Sequence, residues 1–312
     1  MKKDSKIYVA GHTGLVGSAI VRKLLGCGYK NIITAEHSYL DLTDQNETEN
    51  FFAVNKPEYV FLAAAMVGGI YANNTFPGQF IYSNLQIELN IINSAKMTGV
   101  KKLCFLGSSC IYPRFSLQPI REDFLLTGQL EPTNEAYAIA KIAGIKMCQA
   151  YNKEYKTDFI SVMPTNVYGP GDNYDLKTSH VLPALIRRIH EAKTAHAESI
   201  KIWGTGTPLR EFIHSDDLAD ACVYLMVNYS GSDIINIGTG VEVSINELVN
   251  LICRIVGYTG VIDWDKSMPD GMPRKLLDCT KLKNIGWFPK ITIENGIAET
   301  YKKYCEGAAI NI

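Results

Sequence analysis

The chain has 312 residues, 46% of them hydrophobic and 20% charged, with a formal net charge of −1. That composition is ordinary for a globular domain with a sizeable core, and a near-neutral balance excludes a global electrostatic pull toward nucleic acid or anionic membrane. Eight cysteines (Cys27, Cys104, Cys110, Cys148, Cys222, Cys253, Cys279 and Cys305) are scattered without a C-x-x-C pair or a Cys/His cluster, so neither a disulfide framework nor a zinc site is expected.

The segment Met1–Lys6 is short and polar, with no room for a signal peptide's apolar region, and a cytoplasmic location is expected. The longest apolar stretch, Tyr59–Ala72, holds Gly68 and Gly69 and is too short to span a bilayer. Short β-branched runs alternate with longer helical patterns through the first half of the chain. Strands are predicted at Lys6–Ala10, Asn31–Thr34, Tyr59–Leu62, Lys102–Gly107 and Asp158–Met163, and helices near Gly14–Leu25, Asn46–Asn55, Gln79–Thr98 and Glu135–Tyr155. This rhythm predicts an α/β fold, a doubly wound parallel (Rossmann) sheet whose sites gather at the strands' carboxyl ends.

After Tyr168-Gly169-Pro170-Gly171 the rhythm loosens into a loop, a basic helix at Leu182–Lys193 and a strand at Ile200–Trp203. Asp216–Val227 and Ile234–Ile237 resume the helix-then-strand pattern. Two interleaved units are expected: residues 1–174 with 212–240 as the dinucleotide-binding unit, and a smaller substrate unit made of 175–211 with 241–312.

The first predicted strand runs into Gly11-His12-Thr13-Gly14-Leu15-Val16-Gly17, which opens an amphipathic helix. Gly11 permits a tight turn, Gly14 lets backbone N–H groups approach a pyrophosphate at the positive helix end, and Gly17 allows close helix–strand packing. Glu36 and His37 follow the second strand, where an acid would bind ribose hydroxyls and a cation a 2′-phosphate. Asp41-Leu42 fits a segment lying against an adenine. Ala63-Ala64-Ala65 follows the third strand, where small side chains let a dinucleotide lie close.

Tyr137 and Lys141, four residues apart on a predicted helix, share one face, and Ser108 ends an upstream strand. Hydride reduction of a ketone leaves an alkoxide that needs a proton. A phenol with a nearby ammonium, which lowers its pKa, supplies that proton, and a serine hydroxyl holds the ketone oxygen. His214, Asp216 and Asp217, by contrast, read as a turn with an N-cap and helix-dipole partners.

The G-x-x-G-x-x-G spacing resembles the extended short-chain dehydrogenases/reductases. Gly107–Pro113, Glu131–Glu135, Tyr137–Lys146, Met163–Asn166 and Gly204–Phe212 resemble, more narrowly, the GDP-L-fucose synthase family, 3,5-epimerase/4-reductases of a GDP-4-keto-6-deoxy sugar, over nearly the whole chain. The resemblance implies that Cys110 and His180 shuttle protons at carbons 3 and 5 beside the Ser108, Tyr137 and Lys141 set. It implies cofactor contacts at Leu15, Val16, Leu106, Pro164, Asn166, Val167 and His180, with Tyr137 and Lys141. Substrate contacts are implied at Arg188, Trp203, Arg210, Asp270 and Lys275. NADP(H) is the cofactor it favours. Thr13 and His37 stand where NADPH-using members carry arginines, however, and with Glu36 this leaves NAD(H) open. A GDP-linked keto sugar and a second copy of the chain are the expected partners, the copies pairing through Gln79–Thr98 and Glu135–Tyr155. Two other readings stand beside this one: a dedicated 4-reductase of another GDP-4-keto sugar, such as a deoxyheptose, and a non-catalytic cofactor-binding regulator on the same fold.

Overall fold

In the computed structural model, which describes residues 1–268 and 270–308, the first half of the chain follows the predicted alternation. β1 (Ile7–Ala10), α1 (Leu15–Gly26), β2 (Ile32–Ile33), α2 (Gln45–Asn55) and β3 (Tyr59–Leu62) come first. α3 (Ile70–Thr75), α4 (Pro77–Met97), β4 (Lys102–Leu106), α5 (Glu135–Tyr155) and β5 (Phe159–Pro164) follow. The chain then leaves the sheet through β6 (Asn166–Tyr168), α6 (Val181–Thr194), β7 (Ser199–Trp203) and β8 (Leu209–His214), and returns by α7 (Ser215–Asn228) to β9 (Ile235–Ile237).

Six strands form one parallel sheet in the order β2-β1-β3-β4-β5-β9. Its strands are apolar on both faces because helices cover both. Tyr8, Ala10, Val60, Leu62, Leu103 and Phe105 enter one core, and Ile7, Val9, Phe61, Cys104 and Leu106 enter the other, as a two-residue period requires. The strand order reverses at β1, between β2 and β3. The loops leaving β1 and β3 therefore diverge at their carboxyl ends and open a crevice.

The rest of the chain builds a smaller layer from β10 (Glu242–Ser244), α8 (Ile245–Val256), β11 (Val261–Asp265), β12 (Arg274–Lys275), α9 (Thr280–Ile285) and α10 (Ile293–Ala308). β8 is its centre, pairing with β6 and β12 in parallel and with β10 antiparallel, while β7 pairs with β11. A third core forms where Leu185, Ile186 and Ile189 of α6 meet Leu248, Val249 and Ile252 of α8. α8 starts on a reciprocal capping box of Ser244 and Glu247 and stops at Gly257, whose positive φ of 79° suits glycine. Leu277, Cys279, Leu282 and Trp287 turn back onto the two sheet cores.

The His-x-Asp-Asp stretch is structural, as its pattern predicts. His214 caps α7 by accepting from the Asp216 amide, and buried Asp217 accepts from the amides of Lys290 and Ile291. No helix among the described residues is long and apolar enough to cross a membrane.

Candidate active site

The crevice is floored by the β1–α1 turn. Gly11 has a φ of +78°, and a Cβ there would sit 2.7 Å from the backbone of Ala64 in the loop after β3. A Cβ on Gly17 would be driven into the Gly11 carbonyl, so the helix can start this close to the strand only because both positions are glycine. Gly14 is the N-cap of α1 and offers no capping side chain, which leaves first-turn N–H groups free for an anion. Leu15 and Val16 are half-buried beside it, Thr13 is exposed at the turn, and Leu106 is buried below at the end of β4. Ala63 and Ala64 form the opposite lip. This cradle fits the pyrophosphate of a dinucleotide.

Glu36 and His37 are both exposed, and the Glu36 carbonyl holds the turn by accepting from the amides of Tyr39 and Leu40. Asp41 accepts from the amide and hydroxyl of Thr43 at 2.9 and 2.7 Å, and these bonds hold its carboxyl below the usual carboxylate range. Its side chain is thus engaged in shaping the loop. Leu42 is fixed through its carbonyl by Asn90 of α4. Pro164 is buried at the end of β5, whereas Asn166 and Val167 are half-buried, Asn166 donating to the Glu211 carbonyl at 2.7 Å.

Ser108 is the N-cap of a single 3-10 turn, Ser109–Ile111, and accepts from the Cys110 amide at 3.2 Å. Tyr137 and Lys141 sit in the first turns of α5. Burial pushes the Tyr137 phenol up, Cys110 and Glu88 add to this, and Ser108 opposes it through a side-chain hydrogen bond. Burial, rather than Lys141, sets the direction of this shift. The ammonium is turned to the buried carboxylate of Glu88 at 3.1 Å and lies 5.8 Å from the Tyr137 ring centroid, so desolvation of the phenol wins. The phenol is a proton donor at rest.

Cys110 receives two donors at sulfur, the Asn134 amide at 3.4 Å and the Lys275 ammonium at 3.7 Å. A cavity of about 10 Å³ adjoins it, lined by Glu131, Asn134 and Lys275 among others, which is about one water in size. The turn bearing Cys110 is pinned from behind: Asn236 accepts from Tyr112 and donates to the carbonyls of Ile120 and Asp278. Lys275 is placed by β12, whose end is held by buried Glu211 accepting from the Leu277 amide. His180 is the N-cap of α6, brought to the loop after β3 by the bond from the Gly69 amide to the Thr178 carbonyl. Its ring is crowded yet reached by solvent. Crowding, with Lys275 adding, pushes its pKa below 6.5.

Farther out, the Arg188 guanidinium lies 5.4 Å from the Trp203 ring centroid, and Trp203 is 53% exposed. Arg210 is half-buried and donates to the Leu209 carbonyl at 2.8 Å; burial pushes its pKa down while Asp270 opposes. Asp270 accepts from the amide and hydroxyl of Thr205 at 2.7 and 2.8 Å, so it clamps the Gly204–Thr205 turn, with lone pairs left over for a ligand.

Sequence reasoning missed Glu88 and left Asn134 without a role. A signal existed for the first: on α4, Phe80, Asn84, Glu88, Ile92 and Ala95 form a buried stripe at helical spacing, and an acid in such a stripe needs a buried partner. Among the described residues no group of His, Cys, Asp and Glu could hold a metal ion.

Residues 7–238 match the model of the NAD dependent epimerase/dehydratase family. The chain is 60% identical over 306 residues to putative GDP-L-fucose synthase 2 of Arabidopsis thaliana, covering 98% of this chain and 93% of that protein. Among solved structures it is similar to a GDP-6-OMe-4-keto-L-xylo-heptose reductase from C. jejuni, with a TM-score of 0.93 and 38% identity over 98% and 99% of the two chains. A GDP-L-fucose synthetase from Naegleria fowleri bound to NADP superimposes with a TM-score of 0.92 at 29% identity, over 99% and 96%.

Proposed function

We propose, from the premise that this chain belongs to the NAD dependent epimerase/dehydratase family, that it is an NADP(H)-dependent 3,5-epimerase/4-reductase converting GDP-4-keto-6-deoxymannose to GDP-L-fucose. The observation that carries this reading is the convergence at one cleft of the buried Tyr137 phenol, hydrogen-bonded to Ser108, with Cys110, whose sulfur faces Asn134 and Lys275.

A carbonyl at carbon 4 acidifies the C–H bonds on either side of it. Cys110 would take and return protons at these carbons with His180 as its counterpart, while Ser108 and Tyr137 hydrogen-bond the carbonyl oxygen as charge develops there. Epimerisation needs only these groups. For the reduction, NADPH held along Gly11–Gly17, Ala63, Ala64, Leu106, Pro164, Asn166 and Val167 would supply hydride. Tyr137 would then give its proton to the oxygen at carbon 4, and Lys141 would reach toward the cofactor's ribose. Thr13 and His37 would face the 2′-phosphate in place of arginines. Arg188 and Arg210 suit a diphosphate, Trp203 a ring surface, and Asp270 a hydroxyl or amine donor.

The two-unit division of the chain drawn from the sequence, a homodimer and a cytoplasmic location belong to the same proposal. Exposed Tyr82, Leu89 and Ile139 on α4 and α5 support the dimer, and eight free cysteines support a reducing compartment. The likeness to the C. jejuni heptose reductase supports a second reading, a 4-reductase of another GDP-4-keto sugar.

Deuterium exchange separates the two. With GDP-4-keto-6-deoxymannose in D2O and no cofactor, the epimerase reading predicts label at carbons 3 and 5, dependent on Cys110. Absence of exchange, with NADPH still oxidised, would favour the dedicated reductase.

A further inference from the structure

We propose that Asn134 is a positioning residue for epimerisation, its carboxamide holding the Cys110 sulfur in place while that sulfur exchanges protons with the sugar. This rests on the epimerase reading and deepens it. Asn134 ends a single 3-10 turn, Pro132–Asn134, and is the N-cap of α5. An asparagine there ordinarily turns its side chain to the amide two or three residues on. Asp44 before α2 and Ser244 before α8 both do so, accepting from the amides of Glu47 and Glu247. Asn134 makes no such bond. Its Nδ2 instead donates to Cys110 Sγ at 3.4 Å.

The carboxamide is committed to that contact. Its Oδ1 is buried with no hydrogen-bond partner among the described residues, so the sulfur is the group that the side chain engages. Glu131, whose carbonyl accepts from the Asn134 amide, is itself paired with Arg114 at 3.1 Å. Helix α5 can start without the cap, since Pro132 fixes one φ of the turn before it and Glu135 stands in its first turn, where an acid meets the positive end of the dipole. Cys110 and Asn134 both line the water-sized cavity beside the sulfur.

A cysteine sulfur swings about the Cα–Cβ bond between staggered positions, and a group that must meet a C–H bond in line works from only one of them. The bonds of Tyr112 and Asn236 fix the backbone behind Cys110 and leave the sulfur free to turn. Two donors reach the sulfur itself. Lys275 does so at 3.7 Å from a flexible stem that can follow a ligand. Asn134 does so from a short side chain on a helix start, and it stays when Lys275 moves. Tyr137 lies three residues on, along the same helical face. The start of α5 thus carries both the support of the proton-shuttling sulfur and the phenol that serves the oxygen at carbon 4.

The test is Asn134→Asp, which keeps the shape and a good capping group but cannot donate to sulfur. With GDP-4-keto-6-deoxymannose in D2O and no cofactor, the variant should take up label at carbons 3 and 5 roughly tenfold or more slowly than wild type. NADP+ reduction with GDP-L-fucose begins at carbon 4 and needs no epimerisation; it should stay within about threefold, and Tm should not fall. In a Cys110→Ser background the same substitution should change exchange by less than about threefold, because the group it supports is gone. Exchange near the wild-type rate, or an equal loss in both reactions, would overturn the inference. Asn134→Ser, which caps α5 and falls short of the sulfur, should show the same split and replaces the first variant if that one does not fold. Failure of both to fold would make Asn134 a structural residue and overturn the inference as well. A wild type that exchanges no deuterium would instead sink the epimerase reading itself.

Discussion

The Ser108, Tyr137 and Lys141 niche and the Arg188, Trp203, Arg210 and Asp270 rim are built on opposite plans. In the niche, Lys141 and its counter-charge Glu88 are almost wholly enclosed between α4 and α5, and burial pushes the Tyr137 phenol's pKa up. At the rim Trp203 is half exposed, Asp270 is exposed, and the arginines lean on backbone carbonyls of their own layer. The niche is held by buried packing and by the Lys141–Glu88 ion pair. The rim presents charge on side chains that can still adjust, as recognition of a flexible diphosphate requires. Substitutions in the niche should therefore change chemistry, and substitutions at the rim should change binding.

The largest effect should come from Tyr137→Phe. It keeps the ring's packing against Phe80, whose centroid is 6.4 Å away, and removes the proton. Reduction should fall by about 10²–10⁴-fold, with cofactor affinity within a few-fold of wild type by fluorescence titration. Cys110→Ser comes next: exchange of deuterium into carbons 3 and 5 should drop by about 10²-fold, and a slow reduction of unepimerised ketone should survive. If either substitution altered only KM, the niche would be a binding site like the rim.

Gly17→Ala tests the cradle that joins the two regions. Its methyl group meets the Gly11 carbonyl, so the turn must shift at a cost of about 1–3 kcal/mol, seen as weaker cofactor binding and a lower Tm. Arg188→Ala and Arg210→Ala should each raise KM for the nucleotide sugar by roughly tenfold or more, with kcat little changed, since hydrogen bonds to charged groups contribute about 1.5–3 kcal/mol.

The smallest effect is a shift of pH dependence. Crowding and then Lys275 hold His180 below its ordinary pKa, so a step that uses the imidazolium fades as pH rises through that lowered value. Lys275→Met removes the second cause, and His180 should then titrate at higher pH, by less than about one unit in an NMR titration of its ring.

Much of the niche was legible in the sequence because its signals are local. A glycine turn after a strand and a tyrosine one helical turn before a lysine are read from spacing alone, and Gly11, Gly17, Tyr137 and Lys141 are where spacing puts them. The strands were legible for a similar reason, since helices on both faces leave them apolar throughout. What escaped depends on contacts between distant segments. Lys275 reaches the Cys110 sulfur across 165 residues, and Glu88 meets Lys141 from another helix, so neither pairing leaves a trace in local periodicity. The direction of the Tyr137 shift escaped because it turns on how deeply the phenol is buried, which local spacing does not show. Short elements such as β12 and α3 lie below the length at which periodicity is readable.

The most direct measurement is NMR of the sugar product after the wild-type chain is incubated with GDP-4-keto-6-deoxymannose and NADPH, with cofactor oxidation followed in the same tube. The account predicts GDP-L-fucose, formed one for one with oxidised cofactor. A 6-deoxy sugar unchanged at carbons 3 and 5, or no oxidation of NADPH with this substrate, would contradict it.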